Sequence, residues 1–469
     1  NRSTARQTIM SVLRASILCK VSDRMSCVGT RFRFTGRSLP AWHSRIVSGL
    51  FSIVLMLIIS PHTEARQIAE IQANGVLRVG TSGDYQPFSL CLKGPASCQG
   101  FDIDLAQRMA QDLDVELQFV RFQWPELLKD LRAGKFDIAM SGVTIRPDRA
   151  LQATFSRPYT SFQSVVVVAD PARLPTLRAI NRPEVRLVVN AGGHLERVAQ
   201  TLFPSANLIP TSNNLALPQF ILEGQAEALL TDSREAPSFL AAHPTLHALP
   251  GFGRDRKAYL LRSADVMLRS WIDTWLAERE ADGFLAQARE HWFGSAHGEG
   301  PSIVVAGLFA LLDLRLALMP GVAAYKQAHD LPVEDCARER ALLTHLTDQA
   351  QLSGLSTDAI KIFLRTQINL AKQVQQDTLA ARTHVPDWAR RLDLHTQLRP
   401  ILTELSRRIV YELDQISLGW HQLSLETFSE QQFESWAQYE ITTQQLSPHA
   451  KQQLGRAIWK VIQAGESQP

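Results

Sequence analysis

The sequence predicts a multidomain protein, an α/β part followed by an all-α helical bundle. Three observations carry that reading. From residue 75 to about 294, short runs rich in Val, Ile and Phe alternate with stretches at helical spacing. Residues 295–302 are rich in Gly, Ser and Pro and read as a linker. From residue 303 onward, Leu, Ala, Gln, Glu and Arg dominate at helical spacing, punctuated by Pro332, Gly354, Pro386 and Pro448.

Residues 1–65 read as a leader. Nine Lys/Arg against two Asp/Glu precede or flank the apolar run 46–59. A bilayer span needs about 20 apolar residues, so this run fits a secretory signal better, with cleavage expected after Ala65. The alternative is an uncleaved membrane anchor. The net charge of +3 comes from this leader; the remainder holds 40 basic and 44 acidic residues. That balance excludes a basic nucleic-acid surface, and no stable membrane association is expected after cleavage. No zinc spacing or phosphate loop appears, so no metal and no cofactor is expected.

In the α/β part, residues 76–80, 117–120, 136–140, 165–169 and 187–189 are predicted strands, and 101–113 a helix. Such alternation implies crossover units and mainly parallel sheets. Cys91 and Cys98 bracket a hydrophilic turn and are placed to close a loop in an oxidising compartment. Cys336 is an odd thiol, expected to be packed. The C-terminal part is predicted to hold five or six helices. Arg315 and Lys326 lie eleven residues apart and share a face if the helix survives Pro320-Gly321. Ala371 and Gln375 form an i,i+4 pair.

Several segments resemble the solute-binding proteins of the polar-amino-acid family. They are Ser82-Gly-Asp-Tyr-Gln-Pro-Phe88, Gly100-Phe-Asp-Ile-Asp104, residues 136–149 and Phe155-Ser-Arg-Pro-Tyr159. The resemblance covers residues 66–294. It implies a bilobed, periplasmic-binding-protein-like (type II) domain whose chain crosses twice between lobes, expected near 163–168 and 249–257. Arg149 offers a planar fork to a ligand carboxylate, and Gly142 and Thr144 would add donors. Other segments are similar to one enzyme family on this fold, cyclohexadienyl dehydratase: Gln123-Trp-Pro-Glu-Leu127, Val189-Asn-Ala-Gly-Gly193, Thr231-Asp-Ser-Arg-Glu235 and Lys257-Ala-Tyr-Leu-Leu261. By that resemblance Glu235 is the proton donor to a leaving hydroxyl, with its pKa raised by burial. Trp124 walls the ring, Asn190 holds substrate, and Asp84 and Asp232 are further contacts. His194-Leu195 departs from the family, which has a polar pair there. A receptor would use Asp232 to take a ligand ammonium, so a nonenzymatic amino-acid receptor stays open.

The C-terminal part resembles the exported, all-helical (gamma class) chorismate mutases over residues 303–469. Tyr325-Lys326, Leu331-Pro-Val-Glu-Asp335 and Arg338-Glu339 carry the likeness. This rearrangement needs a compact substrate pose and donors at the breaking ether oxygen, with no nucleophile or metal. The resemblance assigns Arg315, Arg338 and Arg399 to the carboxylates, Lys326 and Gln375 to the ether oxygen, and Glu339 to the ring hydroxyl. Asp335 would act through its backbone. Ala371 stands where a small hydroxyl residue is expected. The two likenesses imply consecutive steps, chorismate to prephenate and prephenate to phenylpyruvate, with arogenate as a further substrate. The expected partners are these small molecules; a homo-oligomer is left open.

Overall fold

The structure, a computed structural model, describes residues 66–94, 97–294, 301–380, 385–422 and 428–464. The predicted leader and most of the linker lie outside these residues. The first lobe has a five-stranded sheet in the order Glu116–Arg121, Val76–Thr81, Ile138–Ala139, Leu260–Arg262, Ala153–Phe155. The first three strands are parallel, with Val79 opposite Phe119 and Ile138. Leu260–Arg262 runs antiparallel to both its neighbours. The second lobe repeats this plan. Asn207–Thr211, Arg186–Asn190 and Ala228–Asp232 are parallel, the long strand Thr160–Val168 runs antiparallel to the last of them, and His247–Ala248 and Phe252–Lys257 pair antiparallel with its other side. Each sheet thus joins a parallel half to an antiparallel half, and the expectation of mainly parallel sheets holds only for the former.

The crossings correct two expectations. Residues 163–168 belong to a second-lobe strand, buried from Ser164 to Val168, and most of 249–257 is also second-lobe strand, Phe252–Lys257. The chain passes between lobes earlier, between Phe155 and Thr160, and returns between Lys257 and Leu260. The Val-rich run is core sheet, and the polar Ser156-Arg157-Pro158 before it makes the joint. A small three-stranded sheet follows the first strand, and Cys91 and Cys98 are disulfide-bonded across it, 4.1 Å apart at Cα. Cys336 is exposed, not packed: it opens a helix whose N-cap, Asp335, accepts from the Arg338 amide.

The bundle is built from Ile303–Ala317, Met319–Ala328, Cys336–Leu352, Thr357–Ala380, Arg399–Gln422, Glu430–Glu440 and Pro448–Ala464, with the short helix Asp387–Arg390 and the π-helical turn Leu394–Leu398 before the fifth, more elements than the five or six expected. The expected single helix carrying Arg315 and Lys326 breaks at Leu318, where Pro320 enters a new first turn. This stretch is apolar and long enough to cross a membrane, but 78% of its most apolar window is buried inside the protein. The bundle core is one contiguous cluster, and Ile145, Ala150 and Leu151 of the first lobe pack against it.

Buried ion pairs join the two parts. Arg157, in the first crossing, chelates Glu412 with nitrogen–oxygen distances of 2.8–3.1 Å and donates to the Asp273 carbonyl. Gly307 makes room for it, since a Cβ there would sit 3.1 Å from the Arg157 side chain. In the strand Phe252–Lys257, Arg256 binds Asp313 at 2.9 Å and Glu440 at 3.1 Å. Arg254 also pairs with Glu440. Asp313 in turn accepts from the Thr442 amide and hydroxyl at 2.8 Å.

Removing one partner of such a pair leaves an uncompensated buried charge, whereas replacing both by apolar groups is often neutral. Glu412→Ala should therefore lower stability by about 3–5 kcal/mol. Arg157→Met with Glu412→Leu should recover most of that loss. Urea unfolding of the three proteins measures both effects; equal destabilisation by the single and double variants would contradict this account.

Candidate active sites

The first site lies between the lobes, which are closed on one another. Arg146 of the first lobe donates to the Gly193 carbonyl at 2.8 Å, and Arg197 pairs with Asp148 at 3.3 Å. A cavity of about 30 Å³ remains, lined by Trp124, Gly142, Thr144, Arg149 and Asn190 among the expected residues. Arg149 is 2% exposed, donates to the Thr144 carbonyl at 3.2 Å and lies over the Trp124 ring. Burial, followed by the nearby Arg146, pulls its pKa down to about 9, so it remains a cation at neutral pH. The Asn190 side-chain amide nitrogen is buried without a hydrogen-bond partner. A ligand oxygen would satisfy it.

Gly142 plays a different part from the one expected. Its N–H is already donated to Asp102 at 2.6 Å, so it is not a free donor for ligand. What the site requires is its missing side chain. Its φ is +60°, and a Cβ would lie 2.7 Å from Tyr85 and 2.8 Å from Phe88.

Lys257, Tyr85, Asp255 and Asn214 also line the cleft and were not singled out by sequence. Lys257 ends the strand whose Arg256 enters the bundle, so alternation turns its side chain to the cleft. Its ammonium donates to Asp255 at 2.8 Å, Tyr85 at 2.9 Å and the Thr144 hydroxyl at 3.3 Å. Burial works to raise the Asp255 pKa, but Lys257, His194 and the Thr144 hydroxyl together hold the carboxyl below its usual range. His194 faces this group and is neutral, its pKa lowered to about 4 chiefly by burial.

Three expected acids stand just behind the cavity. The Asp232 carboxylate accepts from the Tyr85 hydroxyl and from the amides of Arg234 and Glu235. Glu235 is 1% exposed; one oxygen takes the Thr231 hydroxyl at 2.6 Å, the other the Asn214 amide at 2.5 Å. Desolvation, then the Asp232 charge, raises its pKa well above the usual carboxylate range. Asn214 stands between Glu235 and the remaining cavity. Asp84 contributes its backbone carbonyl to Asn214 at 3.3 Å, and its side chain does not line the cleft.

The second site is a cavity of about 130 Å³ inside the bundle. It brings together Arg315, Lys326, Asp335, Arg338, Glu339, Ala371, Gln375 and Arg399, all eight expected residues, from five helices. Arg315 is buried, its Nε has no hydrogen-bond partner, and no carboxylate pairs with it among the described residues. Burial lowers its pKa to about 10. Lys326 donates to the Val333 carbonyl at 2.6 Å, and Gln375 donates to the Ala371 carbonyl at 3.1 Å. Lys326 keeps further N–H groups for a ligand, while the second Gln375 N–H rests on the weak acceptor Met319 Sδ at 3.7 Å, from which a ligand oxygen would draw it. Asp335 caps its helix through its side chain and pairs with Arg399 at 3.4 Å; its own amide points to Glu339, 3.4 Å away. Ala371 leaves only a methyl group on the wall, while Thr403 and Ser406 supply hydroxyls from the facing helix. They lie four and seven residues after Arg399, a spacing that marks them as its neighbours. Lys372, unexpected from sequence, pairs with Glu339 at 3.3 Å.

Two family models match the chain: bacterial extracellular solute-binding proteins, family 3, over residues 77–295, and chorismate mutase type II over residues 306–376. A cyclohexadienyl dehydratase of Pseudomonas aeruginosa is 35% identical, an alignment spanning 56% of this chain and 100% of that protein. An L-cystine-binding protein of Escherichia coli is 25% identical over 53% of this chain and 94% of its own length. Among solved structures, an ancestral amino acid-binding protein, described as a precursor of cyclohexadienyl dehydratase, is 34% identical. It covers 48% of this chain and 99% of its own, with a TM-score of 0.46.

Asp102 supplies a test of the first site's wiring. It accepts from Gly142 and from the Tyr159 hydroxyl at 2.9 Å, and burial raises its pKa from the ordinary 3.8 to about 7. The folded state thus holds a proton that the unfolded chain has lost, and stability falls as pH rises from about 4 to 7. Asp102→Asn should flatten this part of the profile and raise stability at pH 8, measured by thermal unfolding across pH. Parallel profiles for the two proteins would remove Asp102 as its source.

Proposed function

Since this chain belongs, through residues 77–295, to the cyclohexadienyl dehydratase family of solute-binding-protein folds and carries a type II chorismate mutase domain behind it, we propose a bifunctional enzyme of phenylalanine biosynthesis. Its bundle rearranges chorismate to prephenate, and its bilobed part converts prephenate to phenylpyruvate. The observation that carries this reading is electrostatic. The bundle cavity gathers five cations, Arg315, Lys326, Arg338, Lys372 and Arg399, against the carboxylates of Asp335 and Glu339. That excess suits a dianion, and Arg315 lacks any counter-charge until one arrives.

In the bundle, Arg315, Arg338 and Arg399 would hold the two carboxylates in the compact pose the rearrangement needs. Lys326 and Gln375 would donate to the ether oxygen as its bond breaks. Glu339 would meet the ring hydroxyl. In the cleft, Arg149 and Asn190 would hold the carboxylate that remains, and Trp124 would wall the ring. Glu235, kept protonated by burial beside Asp232, would give its proton to the departing hydroxyl while carbon dioxide leaves. Asn214 lies on that path and would move aside or relay when substrate fills the cleft.

The receptor alternative loses support from Lys257 and Asp232. Asp232 is already engaged by Tyr85 and two amides. A ligand ammonium would also meet the buried Lys257 ammonium at the cleft. The same charge favours prephenate over arogenate, which bears an ammonium. The family is described as extracellular. We extend this to export into the periplasm, with cleavage after Ala65, domains at 66–294 and 303–469, and no metal or cofactor.

Two variants divide the labour. Glu235→Gln should lower phenylpyruvate formation by about 10²–10⁴-fold while prephenate accumulates from chorismate. Lys326→Ala should stop chorismate use and leave added prephenate reacting normally. Undiminished dehydration by the first variant would remove Glu235 from the chemistry. Loss of both activities in the second would mean that the sites are not separable. The opposed charges also set an order of substrates: kcat/KM for prephenate should exceed that for arogenate. Lys257→Met should narrow the gap.

A further inference from the structure

We propose that Lys372 is a positioning residue of the bundle site: it holds the Glu339 carboxylate on the cavity wall, where that carboxylate accepts from the substrate's ring hydroxyl. This deepens the mutase reading given above and rests on it. The place of Lys372 in the fold is the first observation. Ile368, Ala371, Lys372 and Gln375 of the helix Thr357–Ala380 all line the bundle cavity. Residues at this spacing share one helix face. The other three side chains on that face are apolar or neutral, so a lysine there is out of pattern. A charge in such a place is costly unless it is paired.

Lys372 has two partners, and they differ in kind. Its ammonium donates to Glu334 at 3.0 Å and to Glu339 at 3.3 Å. The Glu334 side chain is 63% exposed and does not line the cavity, whereas that of Glu339 is 25% exposed and does. An exposed ion pair contributes little, so Glu334 is the dispensable partner. Glu339 is held at both oxygens, one by Lys372 and the other by the Asp335 amide at 3.4 Å. An ionised carboxylate has roughly four acceptor positions, so both oxygens keep room for a ligand hydroxyl.

What Lys372 prevents matters as much as what it holds. Five cations and two carboxylates line this cavity, and Lys326 is the cation assigned to the breaking ether bond. Burial lowers the Lys326 pKa, while Asp335 and Glu339 pull the other way, so the Glu339 charge reaches Lys326. Asp335 is committed to its helix cap and to Arg399. Among the described residues, Lys372 is the only cation paired with Glu339. Without it, the attraction of Lys326 for Glu339 has no competitor of equal charge. A carboxylate turned toward Lys326 would abandon the ring hydroxyl and occupy a donor that the ether oxygen needs.

The experiment measures mutase kcat and KM in the full chain for wild type, Lys372→Met, Glu339→Gln, the two combined, and Glu334→Gln. Each protein is given chorismate and an analogue whose ring hydroxyl is replaced by hydrogen. The hydroxyl takes no part in the bonds that break and form, so the analogue still rearranges. Methionine suits the apolar face, and thermal unfolding checks that the variant folds. If it does not, Lys372→Gln, which keeps a donor without the charge, carries the same comparison. Lys372→Met should lower kcat/KM for chorismate by roughly 10–100-fold, the range for a hydrogen bond to a charged group. That loss should shrink to about twofold or less with the analogue, and likewise once Glu339→Gln is in place, because one residue acts through the other. Glu334→Gln should cost about fivefold or less. A purely structural tie between the loop carrying Glu334 and the helix would cost both substrates equally and make Glu334→Gln as harmful as Lys372→Met. Either result, or a Lys372→Met variant as active as wild type, would overturn the positioning role while the mutase reading stood. A wild-type chain inactive on chorismate would instead overturn the proposed function.

Discussion

The arrangement depends on one strand, Phe252–Lys257, which serves two domains at once. Because side chains alternate along a strand, Arg254 and Arg256 point into the bundle while Asp255 and Lys257 point into the cleft. Arg256 is held from outside by Asp313 and Glu440, and Lys257 is held from inside by Asp255, Tyr85 and Thr144. The other crossing is anchored the same way, by Arg157 on Glu412. The bundle therefore grips the two segments that any relative motion of the lobes must flex. Desolvating such charges is expensive, and only well-formed pairs recover the cost, so these contacts define geometry more than they add stability.

Both candidate sites are built on incomplete charge pairing. In the bundle, Arg315 is buried without a carboxylate, and the Gln375 side-chain oxygen is also unpaired. In the cleft, Asn190 keeps an unpaired donor beside Arg149. Folded proteins satisfy most buried polar groups internally, so orphans gathered in a cavity mark where a ligand completes the structure. Glu235 shows the complementary device. A carboxyl enclosed with Asp232 cannot share ionisation cheaply, so burial and the like charge together push its pKa up.

Joining a prephenate-forming bundle to a prephenate-consuming cleft requires no chemistry at the interface, only that neither site be blocked. The helix Arg399–Gln422 meets this by using two faces. Arg399, Thr403 and Ser406 look into the bundle cavity, while Leu405, Arg408 and Glu412 look toward the first lobe. A helix is the economical wall between two compartments, because residues three to four apart share a face and those between them serve the other.

Residue texture predicted the division into an α/β part and a helical bundle, Cys91 and Cys98 were placed to close the loop they do close, and the resemblance named eight residues that line one bundle cavity. Those residues sit on regular helices in a compact motif, where spacing translates directly into position. Other features were decided only by tertiary structure. The first crossing falls at Ser156-Arg157-Pro158, because a Val-rich run is equally good as joint or as core until a sheet claims it. Gly142 matters for the space it leaves, which depends on two distant rings. Lys257 begins a segment that carries the family likeness, but only the sheet turns its side chain to the cleft, and Asn214 reaches the cleft from a segment with no local signature of ligand binding. Arg157, Arg256, Asp313, Glu412 and Glu440 are scattered over nearly 300 residues and read as ordinary surface charges. Only the packing of one domain on the other buries them, and burial is what turns a charge into a structural constraint.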